Sequence, residues 1–230
     1  MPYQDLSSRL GEVRERIDAA RARAGRIDEV HIVAVTKTHP AAAVEAARAA
    51  GLIDVGENRV TELEEKVAEV GRTSVRWHLI GHLQRNKARR ALPLVDLLHS
   101  VDSVRLAREL SRAAVEAGQE PAILVQVNAS GEESKSGFAP AELIPALTKI
   151  CALPAIRVRG LMTMAPFTDD ERVLRATFAR TRELRDEARE VPGFVAEHLS
   201  MGMSNDYEIA VEEGSTLVRL GTVLFGAREQ

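Results

Sequence analysis

The amino-acid sequence predicts a single α/β domain, a (β/α)8 barrel of the TIM type with an additional N-terminal helix. Short β-branched runs alternate with helical stretches along the chain, which implies parallel strands joined by right-handed crossovers. Eight such runs occur, each followed by a helix or a short helical turn. The length of 230 residues is close to the roughly 250 typical of this barrel. No stretch rich in Pro, Gly and Ser divides the chain, which indicates one domain over residues 1–230.

The elements follow from the spacing of apolar residues. Residues 1–25 contribute a helix that packs outside the barrel, because apolar side chains recur every three or four positions between Leu6 and Ile17. The barrel itself occupies residues 30–228. Strands are predicted at residues 31–37, 53–58, 76–82, 97–102, 122–128, 157–164, 198–202 and 216–221. Helices are predicted between them at residues 40–50, 60–70, 83–94, 103–117, 140–152, 170–190 and 206–213.

A doubly wound open sheet is built from the same alternation and is the competing architecture. It carries a Gly-x-Gly-x-x-Gly turn after its first strand when it binds a dinucleotide, and this sequence lacks that motif. Eight strands are also many for an open sheet of this length, so the barrel is favoured.

The composition is that of an ordinary globular domain and excludes several classes of protein. With 34 acidic and 31 basic residues the net charge is -3, so no global field draws the protein to nucleic acid or membrane. Cys151 is the single cysteine, which excludes an internal disulfide and a Cys-rich zinc site and favours a reducing compartment. The N-terminus has no signal-peptide pattern, and no apolar run approaches the roughly 20 residues that span a bilayer. We therefore expect a cytoplasmic protein.

Lys37 closes the first predicted strand, and barrel proteins carry their sites at the carboxyl ends of the strands. Val33 and Val35 share its parity, which would aim the lysine into the barrel among apolar neighbours. Burial there disfavours the ammonium form, which is what a Schiff-base lysine requires. The alternative is a surface lysine at the start of a loop, and position alone does not decide between the two.

Small residues fill the loops after the seventh and eighth predicted strands, in Ser200-Met-Gly-Met-Ser204 and Gly221-Thr222. In this fold those loops and a nearby helix N-terminus form the usual phosphate site, and small residues let the backbone approach a ligand closely. The alternative is turn chemistry with Ser204 as a helix N-cap. Asp206 and Glu208 fit capping but would repel a phosphate at close range.

Arg219 lies near the end of the last predicted strand, where an arginine is unfavourable unless it is paired or faces a ligand. It is either a donor to an anion or a ring nitrogen, or one half of an ion pair with a buried carboxylate such as Glu57. An arginine that donates to a pyridine nitrogen disfavours the pyridinium form and weakens the electron sink. Met162 and Met164 share a parity on the sixth strand, as core residues or as an apolar bed beneath a planar ring.

Other polar residues give weaker signals. His78 and His82 share a parity, but no third ligand stands at metal-binding spacing, so structural histidines are predicted. A basic run at residues 84–90 predicts a solvated face, with attraction of anions as the alternative. Lys87 in that run and Lys135 in a small polar loop are each a hypothetical second ligand site.

Eight short motifs run in order from about Val30 to Arg228. They are Ala34-Val-Thr-Lys-Thr38, Gly56-Glu-Asn58, Trp77-His-Leu-Ile-Gly81, Leu83-Gln-Arg-Asn-Lys87, Ser134-Lys-Ser-Gly137, Gly160-Leu-Met162, Ser200-Met-Gly-Met-Ser204 and Val218-Arg-Leu-Gly-Thr222. Together they resemble the pyridoxal phosphate homeostasis protein family. One departure is His82, which stands where many relatives have proline.

The resemblance implies a barrel like the N-terminal domain of bacterial alanine racemase, the fold type III class, with pyridoxal 5′-phosphate (PLP) as the cofactor. It implies an internal aldimine on Lys37, Asn58 near the ring hydroxyl and Arg219 toward the pyridine nitrogen. It also implies that four residues contact the phosphate, namely Ser200, Ser204, Gly221 and Thr222. Two further residues, Met162 and Met164, are expected to pack around the ring. The family is associated with binding, buffering and delivering PLP, which implies intracellular PLP homeostasis with PLP-dependent apoenzymes as recipients.

The resemblance and the residues together favour a carrier over an enzyme. A racemase of this fold needs two bases, one on each face of the cofactor, and alanine racemase takes the second, a tyrosine, from a separate C-terminal domain. This sequence ends just after the eighth strand, and Tyr3 and Tyr207 stand in no matching motif. We expect a PLP carrier without turnover, as a monomer or weak homodimer. The alternatives are a low-activity PLP-dependent racemase-like enzyme and a Schiff-base aldolase that works without PLP.

Overall fold

The computed structural model describes residues 3–132 and 135–226, so Ser134 and Arg228 of the motif series lie outside it. Within these ranges eight parallel strands pair in sequence order, and the first strand pairs with the eighth to close a barrel. The predicted (β/α)8 architecture is confirmed, and the open sheet is excluded. Among the described helices none combines the length and the apolar composition that crossing a bilayer needs.

The strands are short and largely buried, as expected of parallel strands covered by helices. They are β1 His31–Val35, β2 Asp54–Glu57, β3 Arg76–Leu79, β4 Leu97–Val101, β5 Ala122–Gln126, β6 Arg157–Met162, β7 Phe194–Ser200 and β8 Leu217–Leu220. Every strand stops one to three residues before its predicted end. The polar residues singled out at the strand ends therefore lie mostly in the loops that follow the strands.

The helices agree with the predicted pattern except in one region. They are α1 Leu6–Arg23, α2 Ala42–Ala49, α3 Val60–Val70, α4 Ala88–Ala91, α5 Val104–Ala117, α6 Pro140–Cys151, α7 Glu171–Glu187, α8 Tyr207–Glu212 and α9 Thr222–Phe225. The helix predicted at residues 83–94 is broken into a short α4 between the 3-10 turns Arg85–Lys87 and Leu92–Leu94. Pro93 explains the break at its end, because proline lacks the N–H that would continue the helix.

β7 differs most from the prediction, since it begins at Phe194 and not at residue 198. Gly193 has a φ of 83° and makes the turn that ends the preceding segment. The chain is extended immediately afterwards, with Phe194 buried at its start, exposed and half-buried residues over 195–198, and Leu199 and Ser200 buried at its end. Its register against β6, with Leu199 opposite Leu161 and Ser200 opposite Met162, determines which of its residues point into the barrel.

The N-terminal helix packs outside the barrel, as predicted. Arg16 of α1 pairs with Glu208 at 2.5 Å, and Arg23 of α1 pairs with Glu212 at 2.7 Å, both on α8. The main apolar core lies between the strands and the helices. A smaller apolar cluster is formed by Val33, Leu97, Ala122, Leu124, Met162 and Leu217.

Candidate functional site

A cavity of about 480 Å³ opens at the carboxyl ends of the strands. This volume falls within the roughly 300–1,000 Å³ of small-molecule sites. Seven of the nine predicted site residues line it, namely Lys37, Asn58, Met164, Ser204, Arg219, Gly221 and Thr222. Barrel closure thus brings the loops after β1, β2, β6, β7 and β8 to one site.

Lys37 follows β1 in a turn whose two neighbouring residues are both held from α3. The ammonium of Lys66 donates to the backbone carbonyl of Thr36 at 2.7 Å. The backbone N–H of Thr38 donates to the carboxylate of Glu62. These contacts fix the backbone on both sides of the lysine, so its side chain extends into the cavity from a braced turn.

A buried ion pair lies directly behind this turn. Nζ of Lys66 is 2.7 Å from Oε1 of Glu57, and the two side chains are 6% and 0% exposed. The hydroxyl of Thr36 donates to the same carboxylate oxygen. Burial raises the pKa of Glu57, although the ammonium of Lys66 opposes that rise. The pair therefore stabilises the turn only while both partners are present.

The turn itself carries backbone strain. Thr38 has a φ of 67°, in the left-handed region that a β-branched residue rarely adopts. Such a residue costs of order 1–3 kcal/mol and persists where the surroundings determine its conformation. The contact with Glu62 supplies that determination, and strain of this kind clusters at functional sites.

Arg219 lies on β8 and presents a buried guanidinium to the cavity. Nη1 donates to Oγ of Ser200 at 2.6 Å, and Nη2 donates to the carbonyl of Thr163 at 2.9 Å. Burial lowers the pKa of Arg219 to about 10, with the carboxylate of Asp206 opposing that shift. The arginine therefore keeps its charge at neutral pH. The alternative ion pair with Glu57 is wrong, because that carboxylate binds an ammonium on α3.

Ser204, Gly221 and the first turn of α9 meet at one corner of the cavity. The hydroxyl oxygen of Ser204 accepts a hydrogen bond from the backbone N–H of Val223 at 3.4 Å. The N–H of Leu224 bonds the carbonyl of Gly221 at 2.9 Å, whereas the N–H of Thr222, the first residue of α9, has no acceptor within the helix and can donate to a ligand or solvent. The alternative that Ser204 caps the next helix is wrong, since Asp206 holds the N-cap position of α8.

Two predicted site residues do not line the cavity. Ser200 is fully buried, and its Oγ lies 2.8 Å from Nδ1 of His99 and 2.6 Å from Nη1 of Arg219. This position corrects the expected phosphate contact, because the hydroxyl supports the arginine. Met162 is 1% exposed and belongs to the small apolar cluster, so it is a core residue. Met164 lies beyond the end of β6 at the cavity and is 38% exposed.

The prediction missed part of the cavity wall. The loop after β6, residues 165–169, lines the cavity, and its Phe167 is 96% exposed. His39 also lines the cavity and packs its ring against Phe225, with centroids 5.3 Å apart. Their position in the sequence could have indicated these residues, because every loop that follows a barrel strand reaches this face.

The two lysines proposed for a second site are outside the lining of this cavity. Nζ of Lys135 is 3.1 Å from Oε1 of Glu132 and 3.5 Å from the carbonyl of Met164, so it approaches the rim. Lys87 lies in a 3-10 turn. Within residues 3–132 and 135–226, no group of three or more His, Cys, Asp or Glu side chains is placed to hold a metal ion. The second site stays a prediction.

Comparison with known proteins identifies the family. The family model for the alanine racemase N-terminal domain matches residues 8–229. A Pseudomonas aeruginosa protein named pyridoxal phosphate homeostasis protein is 44% identical and aligns over 97% of this chain and 96% of its own. The protein of the same name from Aquifex aeolicus is 40% identical and aligns over 96% of this chain and 97% of its own. The chain belongs to the pyridoxal phosphate homeostasis protein family. The resemblance drawn from the eight motifs is confirmed.

Solved structures agree with this membership. PipY of Synechococcus elongatus PCC7942, solved with PLP bound, is 39% identical and matches with a TM-score of 0.85 over 96% of this chain and 100% of that chain. A protein of unknown function from Bifidobacterium adolescentis is 40% identical, with a TM-score of 0.89 over 97% and 95%. An alanine racemase from Clostridium difficile is 16% identical, with a TM-score of 0.78 over 98% of this chain and 60% of its own, a likeness in fold alone.

Proposed function

We propose that this chain binds PLP in the cavity at the carboxyl ends of the strands and takes part in PLP homeostasis as a carrier. Relatives at 39% to 44% identity bear the name pyridoxal phosphate homeostasis protein, and PipY has been solved with PLP bound. One observation in this chain carries the proposal. A lysine, a buried arginine and a corner of small residues with backbone donors line one cavity.

The cavity fits the three chemical parts of PLP. Lys37 supplies a primary amine that can hold the aldehyde carbon covalently. Arg219 supplies charged N–H donors for a ring nitrogen, and it retains its protons because its pKa stays near 10. The first turn of α9, with Gly221 and Ser204, supplies donors for a phosphate. When bound, the cofactor would supply an aldehyde that exchanges between amines.

Two further residues complete the assignment. Asn58 lines the cavity after β2, and we assign its amide to the ring hydroxyl. Met164 lies half-exposed at the cavity, where its thioether would pack against a face of the ring. Met162 and Ser200 lie beneath the cavity. Met162 belongs to the apolar core, and Ser200 accepts a hydrogen bond from Arg219.

The positions of the two tyrosines favour a carrier over a racemase. Tyr207 is 2% exposed on α8, and Tyr3 contacts Nδ1 of His39 at 3.4 Å from outside the cavity. Neither tyrosine is among the residues that line the cavity. Racemisation requires a second base opposite Lys37, and no tyrosine of the described residues supplies one from this wall.

Spectroscopy tests the binding site directly. Addition of PLP to the purified protein should give the absorbance band of a lysine imine, and borohydride should fix the cofactor to the peptide that contains Lys37. Lys37→Ala should lose the band. Lys135→Ala and Lys87→Ala, matched variants of lysines outside the cavity wall, should keep it. No band in the unmodified protein would overturn the proposal, and a band lost only in Lys135→Ala would move the site.

Isotope exchange tests the carrier assignment. Solvent-deuterium exchange at Cα of a panel of amino acids should be no faster with the protein than with free PLP. Faster exchange that Lys37→Ala abolishes would favour the racemase-like enzyme. Borohydride trapping of a carbonyl substrate without PLP would favour the aldolase.

Several finer points belong to the same proposal. PLP-dependent apoenzymes as recipients, a cytoplasmic location and a monomer or weak homodimer stay predictions. Light scattering over a range of protein concentrations tests the last of these. Mixing the PLP-loaded protein with a PLP-dependent apoenzyme tests the first, since delivery should restore activity faster than an equal amount of free PLP.

A further inference from the structure

A continuous series of hydrogen-bonded side chains crosses the inside of the barrel beneath the cavity. Oδ1 of Asp54 is 2.9 Å from Nε2 of His78. Nδ1 of His78 is 2.8 Å from Nε2 of His99, and Nδ1 of His99 is 2.8 Å from Oγ of Ser200. Nη1 of Arg219 donates to the same Ser200 oxygen at 2.6 Å. We call these five residues the relay.

The relay joins the two ends of the barrel. All five members are buried, with exposures of 6% for Asp54, 4% for His78, 0% for His99 and Ser200, and 4% for Arg219. Arg219 lines the cavity at the carboxyl ends of the strands. Asp54 and His78 line a second cavity of about 300 Å³ formed by residues near the amino ends of the strands. The relay therefore joins the two cavities through buried side chains.

The positions of the protons in the relay can be assigned by starting from Arg219. Arg219 has only donors, so the oxygen of Ser200 accepts from it and keeps its own hydrogen to donate. Nδ1 of His99 is the acceptor within reach of that hydrogen. Burial lowers the pKa of His99 well below its usual range, so the ring carries one proton, which must then be on Nε2. His99 thus donates to Nδ1 of His78.

The contacts of His78 and Asp54 follow the same donor-to-acceptor order. His78 accepts at Nδ1 and carries its proton on Nε2, from which it donates to Asp54. Burial alone would raise the pKa of Asp54, but hydrogen bonds from His78 and Arg76 lower it to about 2, so the carboxylate accepts. Every link then runs from donor to acceptor in one direction, from the guanidinium to the carboxylate.

The opposite order leaves one hydrogen without a partner. With the proton on Nδ1 of His99, the oxygen of Ser200 would accept from both neighbours. The described contacts of that hydroxyl are these two alone, so its own hydrogen would have no acceptor. A buried unsatisfied hydroxyl disfavours this order by roughly tenfold or more.

We propose that His99 and His78 are positioning residues for Arg219, which they hold through Ser200 in a one-way donor series that ends on Asp54. The relay fixes the rotation of the guanidinium, because only one orientation places Nη1 on Ser200 and Nη2 on the carbonyl of Thr163. The N–H groups left over are then presented to the cavity. The effect on the ligand rests on the PLP site proposed above, whereas the proton order does not.

Nitrogen NMR of the histidine side chains tests the proton order without any ligand. In the PLP-free protein, His99 should show the Nε2–H tautomer, with Nδ1 unprotonated, and His78 should carry a proton on Nε2. A proton on Nδ1 of His99 would overturn the proposal. Ser200→Ala should alter the signals of His99 more than those of the exposed His82, which bonds Asp102 at 3.0 Å outside the relay.

Substitution of His99 tests its effect on the ligand. His99→Gln preserves the donor order, because the amide oxygen can accept from Ser200 while the amide nitrogen donates to His78. His99→Leu breaks both links. We expect His99→Leu to weaken PLP binding roughly tenfold or more and to shift the imine band, and His99→Gln to stay within about threefold of the unmodified protein. Ser111→Ala, which removes another buried hydroxyl bonded to the carbonyl of Pro154 at 2.6 Å, is the control and should change neither.

The outcomes separate this proposal from the one above. If the unmodified protein forms no imine band, the PLP site fails, and the tautomer measurement alone decides the relay. If the band forms but His99→Leu matches Ser111→Ala, the positioning role is overturned. Equal losses in His99→Leu and His99→Gln would also overturn it, because packing and not donor order would then matter. Where His99→Leu does not fold, Ser200→Ala removes a single atom of the relay and takes its place.

Discussion

Replacement of Lys66 by methionine should destabilise the protein through the turn that carries Lys37. Lys66 is 5% exposed on α3, and its ammonium donates at 2.7 Å both to Glu57 and to the backbone carbonyl of Thr36. Methionine keeps the length of the side chain and removes the charge. Glu57 then keeps a buried carboxylate whose other oxygen already has no hydrogen-bond partner among the described residues.

The size of the effect follows from that uncompensated charge. Removing one partner of a buried ion pair costs about 3–5 kcal/mol. Burial raises the pKa of Glu57, and loss of the ammonium that opposes this would raise it further. When both the folded and unfolded states bind the proton, at low pH, the cost is absent. It develops as pH rises through the folded pKa, so the loss from Lys66→Met should be larger at pH 8 than at pH 5.

Urea denaturation, followed by the fluorescence of the fully buried single tryptophan, Trp77, measures this loss. The double variant Lys66→Met/Glu57→Gln removes both charges and should recover about 2 kcal/mol of it. Lys149→Met on the exposed face of α6 is the matched control and should stay within about 0.5 kcal/mol. A loss below about 1 kcal/mol in Lys66→Met, or a double variant no more stable than the single one, would refute the reasoning.

Three further predictions concern other parts of the barrel. A Cβ added at Gly81 would lie 2.2 Å from the carbonyl oxygen of Asn58, so Gly81→Ala should displace Asn58 and weaken PLP binding in a titration; unchanged affinity would contradict the role of Asn58. Asp54, whose pKa is lowered from 3.8 to about 2, contributes about 2 kcal/mol that is fully present above about pH 4 and is lost toward pH 2. In Asp54→Asn the free energy of unfolding should therefore vary less over that window, and an equally steep variant would argue against the contacts of Asp54. Burial raises the pKa of the Cys151 thiol to about 11, so iodoacetamide at pH 8 should alkylate it roughly a hundredfold more slowly than free cysteine; similar rates would show that the thiol is exposed.

The fold could be predicted because its signal is repeated along the chain. Each strand is a compact apolar run and each long helix shows the helical period, so local spacing alone gave the order of the elements. The strand ends could not be placed exactly. Residues such as Lys37 and Asn58 continue the alternation of the strand before them, and only their backbone hydrogen bonds, which the sequence does not contain, show that the strand has already ended. Pro93, which breaks the helix after β3, was visible in the sequence, and its effect was underestimated.

The sequence predicted which residues line the cavity better than it predicted which residues are buried beneath it. Lys37 and Arg219 stood out because a charged residue at a barrel strand end is unfavourable without a partner. Ser200 and Ser204 could not be separated in this way, since both lie in the same short run, Ser200-Met-Gly-Met-Ser204. Their difference depends on the register of β7, which begins at Phe194 and ends at Ser200, so that Ser200 still belongs to the strand and points inward.

The residues that support the site lie in patterns that have another, more common meaning. Glu62 and Lys66 are four residues apart on α3, the spacing of an exposed ion pair on a helix surface. The structure keeps that pair at 3.5 Å but turns Lys66 inward, because closure of the barrel places α3 against the loop after β1, some 30 residues away in sequence. His99 is similar, since it is one polar residue in a buried strand and acquires its meaning only when β3 and β7 supply partners on both sides. Such residues are defined by contacts between elements, so a single sequence contains no local signal that separates them from surface lysines or core histidines.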